Sequence, residues 1–195
     1  MQTTKDKILS IVISHIKDGS NLINVSLAKI ASEAEIGKST VYEYFNSKEE
    51  LISETYMYLL KHYESILTSD IEQMDFKGAF IEQIKKILVV MKDARSIMDA
   101  IMNHQQGSFI GFGKNIEVCI HGIQKKMEER FESIIKLGLI EGVIEYKEPK
   151  PYVKNVIQAV ISGLLYQYVN LEMYIEEDEL FELIYHQVLL FIKNN

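Results

Sequence analysis

Residues 26–51 read SLAKIASEAEIGKSTVYEYFNSKEEL. Two short helices and a tight turn fit this run, followed by the start of a longer helix. Ile30 and Ala34 stand one helical turn apart, Ile36 follows the turn, and Val41 sits on the second helix. These are the positions where a helix-turn-helix needs inward side chains. Ala31 is small where the two helices cross, so their backbones can approach closely. Ser26 can cap the first helix by accepting an orphan backbone N–H, and Gly37 can open the second. From Gly37 onward, Lys38, Ser39, Thr40, Tyr42 and Tyr44 are read as mostly exposed, and all carry donors. Short polar side chains at the N-terminal end of an exposed helix suit the DNA major groove.

The run IASEAEIGKSTVYEYFNSKEEL resembles the DNA-binding domain of the TetR (tetracycline-repressor) family, most specifically in its Tyr-x-Tyr-Phe-x-Ser-Lys-Glu-Glu-Leu tail. By motif the resemblance covers about residues 5–52; beyond that it is architectural. It implies an all-α chain with an N-terminal three-helix helix-turn-helix domain and a C-terminal helical domain for ligand binding and dimerisation. It also implies phosphate contact by the lysine at position 48 and a groove or phosphate contact by Tyr42. One departure matters. The family usually has Gly where this chain has Glu35, at a turn position that commonly needs positive φ. Either Glu35 carries that conformation, at a cost of roughly 1–2 kcal/mol, or the turn adopts another geometry. Gly37 likewise replaces a frequent Ser or Thr cap.

The chain has 195 residues, 47% of them apolar, enough for a substantial core. Gly and Pro total only 12 and there is little β-branched alternation, so the elements read as long helices, about nine in all. No run of eighteen apolar residues and no charged-then-apolar leader occurs, so neither a membrane span nor a secretory signal is expected. The single cysteine, Cys119, excludes an internal disulfide and suits a reducing cytoplasm. The net charge of −7 is unevenly spread. Residues 1–48 hold six Lys and five acids, a net of +1, and the remaining −8 lies on residues 49–195. DNA binding must therefore rest on a few placed cations and on dimeric avidity, not on a broad basic face.

Residues 4–18 read as an amphipathic helix with Ile8, Val12 and Ile16 on its stripe and His15 as a structural residue at its edge. Ser47 and Glu50 form a capping-box pattern that starts a helix running to about Thr68, with Lys48 on its positive end as a phosphate clamp. The domain boundary falls at this start: 1–46 for DNA binding, 47–195 for effector binding and dimerisation. Asp75–Val90 and Asp93–His104 read as two helices, each capped by its Asp. A long helix from about Lys114 to Leu139 follows, then helices at Pro151–Met173 and Glu177–Lys193. The last two are apolar over more than one stripe. A terminal helix with two apolar faces needs two partners. The second is most simply its own copy, through Val156, Val160, Gly163, Ile184, Val188 and Phe191.

Catalytic and metal-ligand constellations are missing from the sequence: Cys119 and His121 point in different directions on one helix, and the other histidines lack ligand spacing. No enzyme, metal or cofactor is expected. Tyr56, Tyr63, Met91, Met98, Met102 and Phe112 are adaptable side chains that could line a deformable apolar pocket, although each alone reads as ordinary core. The resemblance implies an inducer pocket in this region. Together these readings describe a cytoplasmic, homodimeric DNA-binding regulator of repressor type. It would bind a palindromic double-stranded operator and release it when a small hydrophobic or amphipathic effector binds. The competing reading is a DNA-tethered interaction module or enzyme with no ligand-controlled release.

Overall fold

The computed structural model describes residues 3–18, 25–73, 75–103, 114–145, 148 and 150–194, without the side chains of 96–103, 114–115 and 117. Among the described residues all regular structure is helical: α1 Thr4–Lys17, α2 Leu27–Glu33, α3 Lys38–Tyr44, α4 Lys48–Leu67, α5 Phe76–Asn103, α6 Lys114–Ile140, α7 Val153–Val169 and α8 Glu177–Asn194. The expected pair of helices over 75–104 is one helix, α5. The stretch Met91-Lys92-Asp93-Ala94-Arg95 contains no glycine or proline to stop it. Asp93, read as a cap, instead directs its carboxylate at the Tyr63 hydroxyl (2.9 Å) and at the Lys17 ammonium. Helix α7 is shorter than expected. Pro151 lies in a turn before it, Tyr152 is its N-cap, and Leu171 turns the chain out of the helix.

The chain divides into two compact units, Met1–Glu64 with Asp93–Ile123, and Ser65–Lys92 with Gln124–Asn195. In the first unit, Ile8, Leu9, Val12 and Ile16 of α1, Leu27, Ile30 and Ala31 of α2, Val41 of α3 and Leu51, Leu59 and Tyr63 of α4 are buried, with Ala34 and Phe45. Thr3 and Asp6 bond reciprocally at the start of α1, a capping box at the head of the chain, and Ser26 Oγ accepts the Lys29 N–H at 3.1 Å to cap α2. Thr55 is buried with its hydroxyl donated to the Leu51 carbonyl at 2.8 Å, so α4 carries a polar side chain inward without an orphaned group.

Three helices end in the same hydrogen-bonded turn, a Schellman motif, in which the residue after the cap is left-handed. After α2, Glu35 N–H donates to the Ser32 carbonyl (3.1 Å) and Ile36 N–H to the Ala31 carbonyl (3.0 Å). After α6 the pair is Gly142 to Leu139 and Val143 to Gly138, and after α7 it is Leu171 to Tyr168 and Glu172 to Gln167. Gly142 adopts φ 70° without a Cβ penalty, but Glu35 and Leu171 adopt 56° and 60° with one. Of the two geometries open to the helix-turn-helix turn, the chain therefore takes the strained one. Glu35→Gly is expected to stabilise the first unit by about 0.5–1 kcal/mol, the strain relieved less the extra chain entropy of glycine. The exposed Lys7–Glu35 pair (3.3 Å) that it removes contributes little. Thermal unfolding of the two proteins checks this; an unchanged or lower midpoint would refute the strain.

In the second unit, Phe76, Phe80, Ile84 and Leu88 of α5, Ile134 of α6, Ile161 and Leu165 of α7, and Leu180, Phe181, Ile184, Tyr185 and Val188 of α8 form one core with Ile144. Gly138 permits close approach here: a Cβ on it would lie 2.8 Å from Ile144 Cδ1 and 3.1 Å from Phe76 Cδ2. Much of both apolar stripes of α8 is buried within this unit. Ile184 and Val188, expected at a dimer surface, are 0% and 1% exposed, and so cannot face a second chain. Val156, Val160, Gly163 and Phe191 are half-buried, and a Cβ on Gly163 would meet open space.

The end of α4 is also held in this unit. Gln83 Nε2 donates to the Leu67 carbonyl (3.1 Å), Arg130 to that of Thr68 (2.8 Å), and Lys86 to those of Ser69 and Asp70 (3.1 and 2.6 Å). An amide and a guanidinium thus satisfy the Leu67 and Thr68 carbonyls at the negative end of the helix, and an ammonium those of the two residues beyond.

Candidate nucleic-acid interface

Helix α3 is anchored by one side chain on its inner face and by the residue that ends it. Val41 and Phe45 are both fully buried. This fixes the rotation of the seven-residue helix and turns the rest outward. Lys38, Ser39, Tyr42, Glu43 and Tyr44 are exposed and Thr40 is half-buried. The Lys38 ammonium lies 5.9 Å from the Tyr42 ring centroid, and the Tyr44 ring tilts on Phe45 at 6.5 Å. The Lys38 contact holds an aromatic and a cation together on one patch. Gly37 caps the helix with backbone alone, as its lack of a side chain dictates.

The chain then turns into α4. Ser47 Oγ accepts the Glu50 N–H at 3.1 Å, half of the expected capping box. The other half is different. The Glu50 carboxylate reaches one residue further back, to the Asn46 N–H (2.7 Å) and Asn46 Nδ2 (2.9 Å), where a two-donor partner outcompetes the single N–H of Ser47. Asn46 carries a polar side chain that can bond a carboxylate, and this was the signal for its role. Lys48 opens the helix half-buried. Burial pulls its ammonium below the ordinary lysine range, opposed by the neighbouring Glu49 charge. Glu49 is held below the usual carboxylate range by its own backbone N–H and by the Ser47 hydroxyl. The backbone donors at the start of this 20-residue helix are thus largely taken by Glu49, Glu50 and Ser47, and the Lys48 ammonium stands beside two carboxylates.

Lys5, Lys7, Lys17 and Lys29 pair with Glu54, Glu35, Asp93 and Glu33 respectively. Lys38 is exposed on α3, and Lys48 is half-buried at the start of α4. His15 bonds Glu33 through Nε2 at 2.6 Å and ties α1 to α2, a structural role.

Of the residues read as an effector pocket, Tyr56, Tyr63 and Met91 have described side chains. Tyr56 is half-buried on α4 in the first unit, and Tyr63 is buried there with its hydroxyl donated to Asp93. Burial, and then the Asp93 carboxylate, push the Tyr63 phenol far above its ordinary value. Met91 packs on the core of the second unit. The side chains of Met98 and Met102, and Phe112 altogether, lie outside the described residues. An open cleft of about 610 Å³ in the second unit is lined by Lys92, Tyr168, Met173, Tyr174, Glu176 and Glu179 among others, and includes none of those six. Among the described residues no group of three His, Cys, Asp or Glu could hold a metal ion, and no helix is long and apolar enough to cross a membrane.

A short, polar-faced helix fixed by a three-helix core is the geometry of a helix-turn-helix. Residues 23–55 match the model of bacterial regulatory proteins, tetR family. Over the whole chain the fold is similar to a TetR transcription regulator of Haloarcula marismortui, with TM-score 0.66, 17% identity, and coverage of 98% of this chain and 97% of that one. It is similar as well to the TetR family transcriptional regulator PfmR of Thermus thermophilus, with TM-score 0.61, 16% identity and coverage of 99% and 97%. The chain therefore matches the tetR-family model over residues 23–55 and shares the fold of these two solved regulators over its whole length. A stretch of 143 residues is also 25% identical to the tRNA modification GTPase MnmE of Buchnera aphidicola, and the chain spans only 28% of that protein's length.

Proposed function

We propose that this chain is a homodimeric repressor that reads a palindromic double-stranded operator with α3 and leaves it when a small hydrophobic or amphipathic effector binds. The observation that carries the reading is the outward patch of α3 and the α4 start. Lys38, Ser39, Thr40 and Tyr42 face the base edges, and Tyr44 and Lys48 contact phosphates. Residues 1–46 serve DNA binding and residues 47–195 serve effector binding and dimerisation. Two-fold symmetry puts two copies of α3 about 34–36 Å apart on one face of the duplex. The surface that suits the dimer is the α7 stripe of Tyr152, Ala159, Gly163 and Tyr166 with Leu190 of α8, since Tyr152, Tyr166 and Leu190 are large apolar side chains left exposed. The effector acts only through its different affinity for the operator-binding and released conformations.

Lys38→Ala and Lys48→Ala are each expected to weaken binding and to reduce the salt dependence of log K by about one. Fluorescence anisotropy on the DNA upstream of the protein's own coding region measures both. Unchanged affinity and slope in the two variants would remove these assignments. The same assay with a panel of lipophilic compounds tests the effector: release of a bound duplex supports ligand control. Binding that no compound reverses leaves a DNA-tethered module as the better reading.

A further inference from the structure

Glu43 is the feature of α3 that phosphate binding does not explain. Successive residues turn 100° about a helix, so Ser39 and Glu43 lie on the side farthest from buried Val41, one turn apart. Glu43 is exposed, and among the described residues its carboxylate has no hydrogen bond or ion pair. The other four carboxylates of residues 1–48 are all engaged: Asp6 by Thr3, Asp18 by Ser14, Glu33 by His15 and Lys29, and Glu35 by Lys7. A lone carboxylate at the crest of the reading helix is repelled by every phosphate. In a DNA-binding end with a net charge of only +1, that repulsion costs affinity for any duplex, whatever its sequence. A specific partner in the groove offsets it. The major-groove edge of guanine offers only acceptors, and thymine an acceptor and a methyl, all unfavourable to a carboxylate. Cytosine presents the N4 amino donor, to which Glu is suited, whereas adenine pairs its N6 donor with an N7 acceptor.

We infer that Glu43 is a specificity-determining residue, accepting a hydrogen bond from cytosine N4 at one base pair of each operator half-site. This rests on the reading of α3 as the recognition helix. The same carboxylate weakens binding everywhere else, so Glu43 trades general affinity for discrimination. The Ser39 hydroxyl, one turn away on the same line, can donate to the neighbouring base edge or to the carboxylate itself.

The test selects operators from random duplexes with the full-length protein and with Glu43→Ala and Glu43→Gln, then measures affinity for every single-pair change of the selected site. In the wild type, cytosine is expected to be preferred at one position per half-site by roughly 5- to 100-fold. Glu43→Ala is expected to flatten that position alone and to raise affinity for unrelated duplex. Glu43→Gln, which keeps an acceptor but gains a donor, is expected to shift the preference toward adenine. Identical position-by-position profiles in all three proteins overturn the role of Glu43 while leaving α3 as the reading helix. Failure of the wild type to select any sequence overturns the recognition-helix reading and this inference with it. Circular dichroism of both variants, at an exposed helical position, controls for folding.

Discussion

Phe45→Ala is expected to destabilise the DNA-binding unit by about 3–5 kcal/mol and to abolish duplex binding at ambient temperature. Phe45 is fully buried immediately after α3, with the Lys5 ammonium 5.4 Å from its ring centroid and Lys5 also paired to Glu54 at 2.5 Å. It therefore lies where α1, α3 and α4 converge. Removing the ring leaves a cavity at that junction, which the short helices around it cannot close without shifting α3. Whole domains are stable by only about 5–15 kcal/mol, so a loss of this size in a small helical unit is a large share of what holds it. Urea unfolding followed by far-ultraviolet circular dichroism, together with anisotropy on duplex DNA, measures both consequences. Duplex affinity within a few-fold of wild type, with an unchanged unfolding midpoint, would show that Phe45 does not hold α3. Phe45→Leu, which retains much of the apolar volume, is expected to keep binding at reduced stability.

The sequence discloses this part of the fold well because several local rules point to the same answer. Ile30, Ala31, Ala34 and Val41 are inward by spacing and buried in the structure, Ile36 is half-buried, and Ser26 caps the helix it was expected to cap. The tetR-family model falls on the same stretch, residues 23–55. Glu35 shows the limit of such rules: the sequence marks the position but leaves the geometry open, and only the backbone settles it at φ 56°. Asp93 shows a second limit. An Asp before a helical pattern reads as a cap, but the same carboxylate serves equally as a mid-helix acceptor, and Lys17 and Tyr63, far away in sequence, decide the matter. Burial and neighbouring ions compete for that carboxylate, and the Lys17 and Tyr63 contacts prevail, holding it below the usual carboxylate range. The α8 stripes show a third limit. Periodicity counts apolar faces but does not say how much of the helix one unit can surround, and here the second unit buries Ile184 and Val188 while Leu190 stays exposed. The residues read as an effector pocket carry the weakest signal, because Met and aromatic side chains serve core and pocket alike.

Phe80→Ala is the corresponding test for the second unit. Phe80 is 1% exposed and is the ring at which three aromatics meet: Phe76 at 6.3 Å, Phe131 at 6.2 Å and Tyr185 at 5.8 Å between centroids, the last two edge-on. Each such pair adds about 0.5–1.5 kcal/mol beyond the area it buries, and the truncation as a whole is expected to cost about 3–5 kcal/mol. Repacking cannot recover much of this. Gly138 already admits Ile144 and Phe76 at near-minimal distance, and Ile84 and Leu165 are fully buried, so the surrounding side chains have little room to move into the space. The two truncations together separate two kinds of regulator. If the units unfold independently, Phe80→Ala lowers the stability of the second unit and removes the response to effector while monomeric affinity for duplex survives. If they unfold as one, Phe45→Ala and Phe80→Ala shift the same single transition, and DNA binding is lost with either. Tyrosine fluorescence and anisotropy followed through one urea titration distinguish these outcomes. Coincident curves would mean that the proposed effector could bias the whole folded chain, whereas separated curves would require its signal to pass through α4, α5 and α6, the helices whose residues belong to both units.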